Sequence, residues 1–346
     1  MLIDAEYTHG GDIYTNDISL DFSSNVNPFG IPEPVRRAAE EAVAVCTAYP
    51  DPRCTELRKK ISEYEKVPPE HILCGSGAAE LIYSFAYSLP KERPALIVSP
   101  TFSEYEAALN AAGIAAEHYM LDEQNGFQPD AGILSLDLSE YCAVFICTPN
   151  NPTGVTAGAD LLESLAKTGV RLFADMCFLE LTDHPEMYAV PELVSSCPNV
   201  VILKAFTKSF ALPGLRLGYA LCSDSSFLEE MSGKAPCWNV SVPAQAAGCA
   251  ALGCTDLLRD KVRTISSERS RLAEAIASMG VKVYPGEANF LLLYSDSALY
   301  KGLLSRDILV RDCSNYRGLK KGHVRIAVRR PEENDRLLSA MKEVLR

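Results

Sequence analysis

Three features that would assign this chain to a membrane, secreted or nucleic-acid-binding class are missing from its sequence. No apolar run approaches the length of about 20 residues that a membrane-spanning helix needs. The opening segment, MLIDAEYTHGGD, has neither a basic region nor an apolar core, so we expect no signal peptide and a cytoplasmic protein. Lysine and arginine number 33 against 45 acidic residues, and this net charge of −12 argues against a nucleic-acid partner.

Metal-binding spacing is also missing, although the chain has twelve cysteines. They are scattered, with no CxxC pair and no group of histidines and cysteines at the spacing of a zinc site. We therefore expect no bound metal, and we interpret the cysteines as buried thiols in a reducing compartment. The sequence has no internal repeat and no low-complexity segment.

The composition is that of a folded globular protein, with 47% hydrophobic and 23% charged residues. A chain of 346 residues exceeds the size at which single cores stop growing, so we expect two lobes. The predicted division is an N-terminal arm that packs with the small domain, residues 1–35, a large domain, residues 36–240, and a small C-terminal α+β domain, residues 241–346.

Apolar runs alternate with helical patterns through the middle of the chain, from about Ile72 to about Cys222. For example, HILCGSG is followed by AAELIYSFAYSL, and AVFICTPNNPTG is followed by ADLLESLAKTG. This alternation predicts βαβ units around a mainly parallel sheet, which is an α/β fold. A long helical stretch after Trp238 is expected to bridge the lobes, and the tail then has the pattern of a compact α+β unit.

Ligands of such sheets bind beyond the carboxyl ends of the strands, so the residues after each apolar run are candidates. The GSGAAE turn offers the N–H groups of Gly77, Ala78 and Ala79 to a phosphate, although such turns are often only structural. Asn151 follows another run and can point its amide into the cleft, unless it belongs to a plain Asn-Pro turn. Asp175 ends a third run, where a buried carboxylate is costly without a cation.

A lysine and an arginine complete this set of candidates. In TKSFALPGLRLGY, Lys208 follows a strand-like run, and Arg216 lies eight residues later across a Pro-Gly turn. Either cation alone would be interpreted as a solvated surface residue. Beside a phosphate-binding turn and a buried acid, both become candidate active-site residues.

Seven spaced segments carry a resemblance to a known family: YPDP, GSGAAE, SPTF, CTPNNPTG, FADMCF, TKSFALPGLRLGY and HVRIAVR. In this order they resemble the fold-type-I pyridoxal-phosphate enzymes, specifically the class I/II aminotransferase superfamily, over nearly the whole chain. The resemblance implies the PLP-dependent transferase fold, with a large domain around a mainly parallel sheet and a smaller α+β domain. It also implies an enzyme whose cofactor is pyridoxal 5'-phosphate.

The resemblance implies roles at the ring of the cofactor. Lys208 would hold the cofactor as a Schiff base and later move a proton, which suits an amine with a lowered pKa. Asp175 would pair with the pyridine nitrogen and keep it protonated. Asn151 would donate to the phenolic oxygen, and Phe102 would stack on the ring, with Tyr105 as its neighbour or substitute.

Further implied roles concern the cofactor phosphate and the substrate. The GSGAA backbone, Thr207 and Arg216 would hold the phosphate, and Tyr49 would reach in from the other subunit. That contact implies a homodimer with composite active sites. Arg325 would bind the substrate carboxylate as a bidentate pair.

Two positions depart from the pattern of the family. Family members often have tyrosine where Phe178 stands, which gives the phenolic oxygen a second donor. Many relatives have a hydroxyl for the phosphate where Ala205 stands. Both departures leave the chemistry possible and point away from the typical aminotransferase.

Two branches of the superfamily fit the sequence, the threonine-phosphate decarboxylases of cobalamin biosynthesis and the histidinol-phosphate aminotransferases. The segments HGGD, DFSSNVNPFG and VRDCSNYRGL are similar to the decarboxylases. This similarity implies that His9, Asn25 and Arg311 lie around the substrate phosphate or carboxylate. The competing interpretations are that His9 belongs to a frayed terminus and that Arg311 is an ordinary surface cation.

We therefore predict a PLP-dependent decarboxylase of L-threonine O-3-phosphate that produces (R)-1-aminopropan-2-ol O-phosphate for cobalamin biosynthesis. An aminotransferase of the histidinol-phosphate type or for another amino acid is the alternative. A non-catalytic regulator with this fold is a third hypothesis. It is disfavoured because the chain is acidic, retains Lys208 and has no extra residues for a DNA-binding fusion.

Overall fold

The computed structural model of the protein describes residues 10–15 and 18–345. The strands, numbered along the chain, are β1 (Leu20–Asp21), β2 (Ile72–Gly75), β3 (Ala95–Ser99), β4 (Ala116–Met120), β5 (Ala143–Cys147), β6 (Arg171–Asp175), β7 (Val200–Ala205), β8 (Gly218–Leu221), β9 (Lys282–Val283), β10 (Phe290–Tyr294), β11 (Ile308–Leu309), β12 (Arg311–Asp312) and β13 (His323–Ala327). The α-helices are α1 (Glu33–Ala42), α2 (Thr55–Glu65), α3 (Gly77–Tyr87), α4 (Glu104–Ala112), α5 (Ala159–Lys167), α6 (Val190–Ser196), α7 (Phe206–Ser209), α8 (Ser225–Gly233), α9 (Val242–Leu252), α10 (Thr255–Ala277), α11 (Leu299–Leu304) and α12 (Pro331–Val344).

A seven-stranded sheet forms the large lobe, with the strand order β2-β8-β7-β6-β5-β3-β4. Strand β8 runs antiparallel to both of its neighbours, and the other pairings are parallel. The interior strand β5 is buried along its whole length. Its alternate residues join two separate apolar clusters, Val144 and Ile146 on one face and Phe145 and Cys147 on the other. Both faces of the sheet are therefore covered, as expected for an α/β fold.

The topology brings one end of each of the seven strands to one edge of this sheet. All strands except β8 are parallel in direction, so their carboxyl ends meet there. Because β8 is antiparallel, its first residue lies at the same edge, where Gly218 pairs with both Gly75 and Ala205. The segments that follow or precede these ends carry the predicted site residues.

The second lobe is an antiparallel sheet in the order β12-β13-β10-β9, with α10, α11 and α12 packed together beside it. The short strand β1 pairs in parallel with β11, Leu20 opposite Ile308, which attaches the N-terminal segment to this lobe. Helix α9 packs against α1 and α2 instead. The predicted domain boundaries after residues 35 and 240 stay a prediction.

Two local features differ from the sequence-based expectation. Strand β4 was not predicted, because its residues AEHYM are half-polar, as suits an edge strand that is partly open to solvent. The long helical stretch after Trp238 is two helices, since α9 ends at Leu252 and α10 begins at Thr255. All twelve cysteines carry free thiols. Over residues 10–15 and 18–345, no helix combines the length and apolarity needed to cross a membrane.

Candidate active site

Two adjoining cavities lie at the edge where the strand ends meet. The inner cavity has a volume of about 170 Å³ and the outer one, which opens toward the second lobe, about 560 Å³. The inner cavity is lined by Ala78, Ala79, Phe102, Tyr105, Cys147, Asn151, Asp175, Cys177, Phe178, Thr207, Lys208, Pro213 and Arg216. Most of the residues predicted to bind a cofactor thus come together here, although they are spread over more than a hundred positions of the sequence.

Lys208 lies at the centre of this edge, in the single turn of helix that follows β7. Its Nζ is 5.6 Å from the centroid of the Phe178 ring. Burial, together with the nearby guanidinium of Arg325, lowers the pKa of the Lys208 amine to about 8. A lysine with this pKa is partly neutral at physiological pH and can act as a nucleophile or a base.

Asp175 ends β6 and is buried beside the lysine. The hydroxyl of Tyr105 donates to its Oδ2 at 2.6 Å, and the backbone N–H of Cys177 donates to its Oδ1 at 2.9 Å. Burial raises the pKa of the carboxyl group, while these donors act against the rise. Tyr105 was predicted to be a neighbour or substitute of the stacking ring of Phe102. Its ring centroid lies 5.8 Å from that of Phe102, and its hydroxyl in addition contacts Asp175.

A small space lies between the first turn of α3, at Gly77 and Ala78, and the guanidinium of Arg216, and it exists because positions 77 and 218 are glycines. We call this space the cradle. Gly77 has a φ of +82°, and a Cβ at this position would lie 2.7 Å from an Nη atom of Arg216. A Cβ on Gly218 would lie 3.0 Å from the backbone nitrogen of Ala78. The eleven-residue α3 points its free N–H groups at this space, so the cradle suits a phosphate held by a helix N-terminus and a guanidinium.

Asn151 follows β5 and lines both cavities. Its Oδ1 accepts from the Arg325 guanidinium and, at 3.4 Å, from the Tyr316 hydroxyl. Arg325 is buried on β13 and donates to the backbone carbonyl of Ser23 at 2.6 Å. The second lobe and the N-terminal segment therefore both reach the wall of the site.

The other predicted substrate residues occupy different positions. Asn25 lines the outer cavity, is buried, and has no hydrogen-bond partner for either amide atom among the described residues. Arg311 is buried, lies directly opposite Arg325 in the β12–β13 pairing, and donates to Asn315 at 2.8 Å. Its guanidinium is 5.2 Å from the ring of Tyr316 and lines neither cavity. His9 lies outside the described residues.

Tyr49 is not part of either cavity of its own chain. Its side chain is 78% exposed and stacks on Trp238, with the ring centroids 4.6 Å apart. Tyr49 therefore stands on the surface of the large lobe.

The residues present fit pyridoxal 5'-phosphate. The cradle offers backbone donors and a cation for a phosphate, the buried acid faces the space where a ring nitrogen needs a partner, and a lysine of lowered pKa completes the set. Sequence reasoning missed three contributors, Cys177, the hydroxyl of Tyr105 on Asp175, and Tyr316. The first two follow a candidate residue within three positions, and Tyr316 lies in the quoted VRDCSNYRGL segment, so each had a weak signal.

Comparisons with known proteins agree with this site. The sequence model of the family described as Aminotransferase class I and II matches residues 17–341. A threonine-phosphate decarboxylase from Salmonella typhimurium is 35% identical to the chain, over 97% of this chain and 96% of its own length.

Solved structures give the same relationship. The histidinol-phosphate aminotransferase from Clostridium acetobutylicum is 30% identical, with a TM-score of 0.88 over 94% of this chain and 99% of that one. The histidinol-phosphate aminotransferase from Sinorhizobium meliloti, solved in complex with pyridoxal-5'-phosphate, is 21% identical and shares the fold. Its TM-score is 0.85 over 95% of this chain and 91% of that one.

Proposed function

Since this chain belongs to the family of class I and II aminotransferases, we propose that it decarboxylates L-threonine O-3-phosphate to (R)-1-aminopropan-2-ol O-phosphate for cobalamin biosynthesis. Membership of the family confirms four predictions made from the sequence: the superfamily, the PLP-dependent transferase fold, an enzymatic activity, and pyridoxal 5'-phosphate as the cofactor. The substrate, the reaction type and the site residues are the parts that we propose.

The bound cofactor supplies an electron sink for the pair of electrons released when a bond at the substrate α-carbon breaks. The residues of this chain would hold it in place. Asp175 would hold a proton on the ring nitrogen, and the cradle of α3, Thr207 and Arg216 would bind the phosphate. Lys208 would provide the amine that binds the cofactor and moves a proton at the α-carbon of the substrate.

One observation carries the substrate assignment. The buried, incompletely paired Arg325 faces the same cavity as Lys208, and a second buried arginine, Arg311, stands directly opposite it in the sheet. The Nε of Arg325 has no partner within the described part of the chain. Arg311 and Arg325 stand across from each other on paired antiparallel strands, so both side chains leave the sheet on the same face. A substrate with both a phosphate and a carboxylate needs two such cations.

Asn25 adds a neutral donor and acceptor to the outer cavity. Its buried, unpartnered amide has a desolvation cost of about 1–3 kcal/mol unless a ligand supplies the missing hydrogen bonds. We assign Asn25 and Arg325, which line this cavity, to the substrate phosphate or carboxylate. Arg311 lines neither cavity, and we add it because it stands opposite Arg325 in the sheet and because of the resemblance.

Transamination of histidinol phosphate is the second candidate function. The outer cavity of about 560 Å³ has room for an imidazole ring, and the structural relative with 30% identity is a histidinol-phosphate aminotransferase. Histidinol phosphate has a phosphate and no carboxylate, but the amino-group acceptor 2-oxoglutarate has two carboxylates, so a pair of arginines suits this reaction as well.

We further propose that the protein is a cytoplasmic homodimer. Tyr49 and Trp238 stack at the surface, and Val43 and Val45, shortly before Tyr49 in the sequence, are 62% and 58% exposed. A second copy that covers this patch would bring Tyr49 toward its neighbour's site. Sedimentation should give a dimer, and a fully active monomer would contradict the proposal.

The proposed cytoplasmic location agrees with the state of the cysteines, because twelve free thiols suit a reducing compartment.

A product assay with matched arginine variants tests the function. The holoenzyme should release CO₂ from threonine phosphate and should not transaminate histidinol phosphate with 2-oxoglutarate. Arg311→Ala and Arg325→Ala should each lower kcat/KM on threonine phosphate about thirty- to a thousand-fold, because each removes a charge-assisted contact of about 2–4 kcal/mol. Arg311→Lys should recover little of this loss.

Arg317 provides the control, because it is 55% exposed and pairs with Glu106 at the surface. Arg317→Ala should change kcat/KM less than about threefold. Efficient transamination of histidinol phosphate by the unaltered enzyme would replace the decarboxylase assignment with the alternative. An Arg311→Ala effect as small as that of the control would remove Arg311 from the substrate site.

A further inference from the structure

Tyr316 contacts two of the residues that surround the active site. It is buried in the turn after β12, its hydroxyl lies 3.4 Å from the Asn151 Oδ1, and the guanidinium of Arg311 lies 5.2 Å from its ring. It also lines the outer cavity. A tyrosine of the second lobe thus connects a substrate-side arginine with an asparagine of the large lobe.

The chemistry of the donors settles which way the Asn151 amide points. A guanidinium has five N–H donors and no acceptor, so the amide atom that meets Arg325 must be the oxygen. The hydroxyl of Tyr316, facing the same oxygen, must then donate. The Nδ2 end has no partner within residues 10–15 and 18–345, and the side chain lines both cavities.

The two donors on this oxygen differ in their other contacts. Arg325 also donates to the Ser23 carbonyl and is a candidate ligand of the substrate anion, so its guanidinium is shared between several acceptors. The Tyr316 hydroxyl also has a hydrogen bond with Arg311, but a guanidinium can only donate, so the hydroxyl keeps its own proton for the Asn151 oxygen. When Arg325 binds a substrate anion, Tyr316 is the donor that continues to hydrogen-bond the Asn151 Oδ1.

The residue at position 178 makes the orientation of the Asn151 amide more important for the cofactor. Phe178 lines the inner cavity where many family members have a tyrosine, so its side chain offers no hydroxyl to the cofactor. Asn151 is then left as the donor proposed for the phenolic oxygen. A rotated amide would present its oxygen there and repel the anionic form of that group.

We propose that Tyr316 is a positioning residue that keeps the Asn151 amide oriented with Nδ2 toward the cofactor. The proposal rests on the proposed contact between Asn151 and the phenolic oxygen. It makes the second lobe part of the cofactor site, because Tyr316 belongs to that lobe and its hydroxyl lies 3.4 Å from the Asn151 Oδ1.

A double-mutant cycle on the holoenzyme tests the proposal. A donor stabilises the anionic phenolic oxygen, so Asn151→Ala should raise the pKa of the bound chromophore by about 1–2 units and weaken cofactor binding about tenfold or more. Tyr316→Phe keeps the ring near Arg311 and should raise that pKa by about half a unit, with about threefold weaker binding. In the Asn151→Ala background, Tyr316→Phe should change neither quantity.

Absorbance titration against pH measures the chromophore pKa, and titration of the apoprotein with cofactor measures the affinity. Tyr284→Phe is the control, because Tyr284 is a buried tyrosine of the same lobe whose hydroxyl donates to Glu123 at 2.5 Å, away from the site. It should leave both quantities unchanged.

The outcomes separate this inference from the function it rests on. If Tyr316→Phe lowers only the melting temperature, or acts equally in both backgrounds, Tyr316 is merely structural and the inference is wrong. If Asn151→Ala itself leaves chromophore and affinity unchanged, the proposed cofactor contact is wrong and the inference is refuted with it.

Discussion

Two lysines lie four residues apart at the end of the same strand, and their surroundings are opposite in character. Lys204 is on β7 and only 4% exposed. Its Nζ contacts Glu65 at 2.8 Å and Glu180 at 2.6 Å, and the Tyr219 hydroxyl donates to Glu65 at 2.5 Å. Lys208 is in the turn beyond the strand, where arginines dominate the charge around it.

The pKa of each amine follows from these partners. Burial acts to lower the pKa of Lys204, but the carboxylates of Glu180 and Glu65 outweigh it and raise the pKa above its ordinary value. Burial lowers the pKa of Lys208 to about 8, and Arg325 and Arg216 act in the same direction. Burial alone therefore does not decide whether a lysine is a structural cation or a reactive amine, because the charges around it do.

The largest expected effect is on turnover. Lys208→Ala should keep the fold and abolish activity, with a loss of at least about 10⁴-fold, because it removes the amine that binds the cofactor and moves the proton. Borohydride should fix the cofactor covalently on Lys208 in the unaltered enzyme. Peptide mapping that found the label on Lys204 would reverse the roles assigned to the two lysines.

The next effect is on stability and concerns the other lysine. Lys204→Met should lower the free energy of unfolding by about 3–5 kcal/mol, because it leaves the buried carboxylate of Glu65 and the largely buried one of Glu180 without their cation. Denaturant unfolding of the apoprotein measures it. Adding Glu65→Gln and Glu180→Gln should recover most of the loss. A cost below about 1 kcal/mol for Lys204→Met would mean that the cluster is well solvated.

The third prediction is a pH dependence that only Lys208 should cause. Its folded-state pKa is about 8 and its ordinary value 10.5, so between these pH values the unfolded chain binds more protons than the folded one. Stability of the apoprotein should therefore rise with pH across that window. Lys208→Met removes the cost of burying the ammonium, which is up to about 3 kcal/mol below pH 8.

The measurement is the difference in unfolding free energy between Lys208→Met and the unaltered apoprotein, in which other titrating groups cancel. The variant should be the more stable one at pH 7, and the difference should shrink toward pH 10.5, the ordinary pKa. A difference that stays constant from pH 7 to pH 10 would show that the pKa of Lys208 is not lowered.

Whether a structural feature could be predicted from the sequence depends on whether it is formed by residues close together in the chain. The apolar runs of β5, β6 and β7 and the candidates that follow them were predicted, because strand ends of a parallel sheet meet at one edge. Lys204 was not singled out, since within VILKAF it reads as one more strand residue. Its partner Glu65 is 139 positions away, and no pattern predicts that contact.

The same limit applies to the second lobe. Arg311 and Arg325 were both candidates, but only the register of β12 against β13 shows that they stand opposite each other. Tyr316 lines the outer cavity and Arg311 does not. This difference depends on the turn after β12, whose conformation the sequence does not specify. Pairings between distant segments are set by packing, and a single sequence carries little signal for them.

The smallest expected effect concerns the carboxylate of the cavity, which differs from those around Lys204. Asp175 is paired with the Tyr105 hydroxyl at 2.6 Å and the Cys177 N–H at 2.9 Å, and so needs no ammonium of its own. Tyr105→Phe should destabilise the apoprotein by about 1–2 kcal/mol at pH 7, because the buried carboxyl group of Asp175 loses a donor. The loss of this hydrogen bond should raise the already elevated pKa of Asp175 further. Since a protonated carboxyl group needs the donor less, the penalty should shrink on acidification.

Tyr83→Phe is the control, because it alters a hydroxyl 3.4 Å from Glu104 near the surface, and it should cost less than about 0.5 kcal/mol. Equal and pH-independent costs for the two variants would mean that the Tyr105 hydroxyl does not support the charge of Asp175. The two lysine environments would then not differ in how their carboxylates are satisfied.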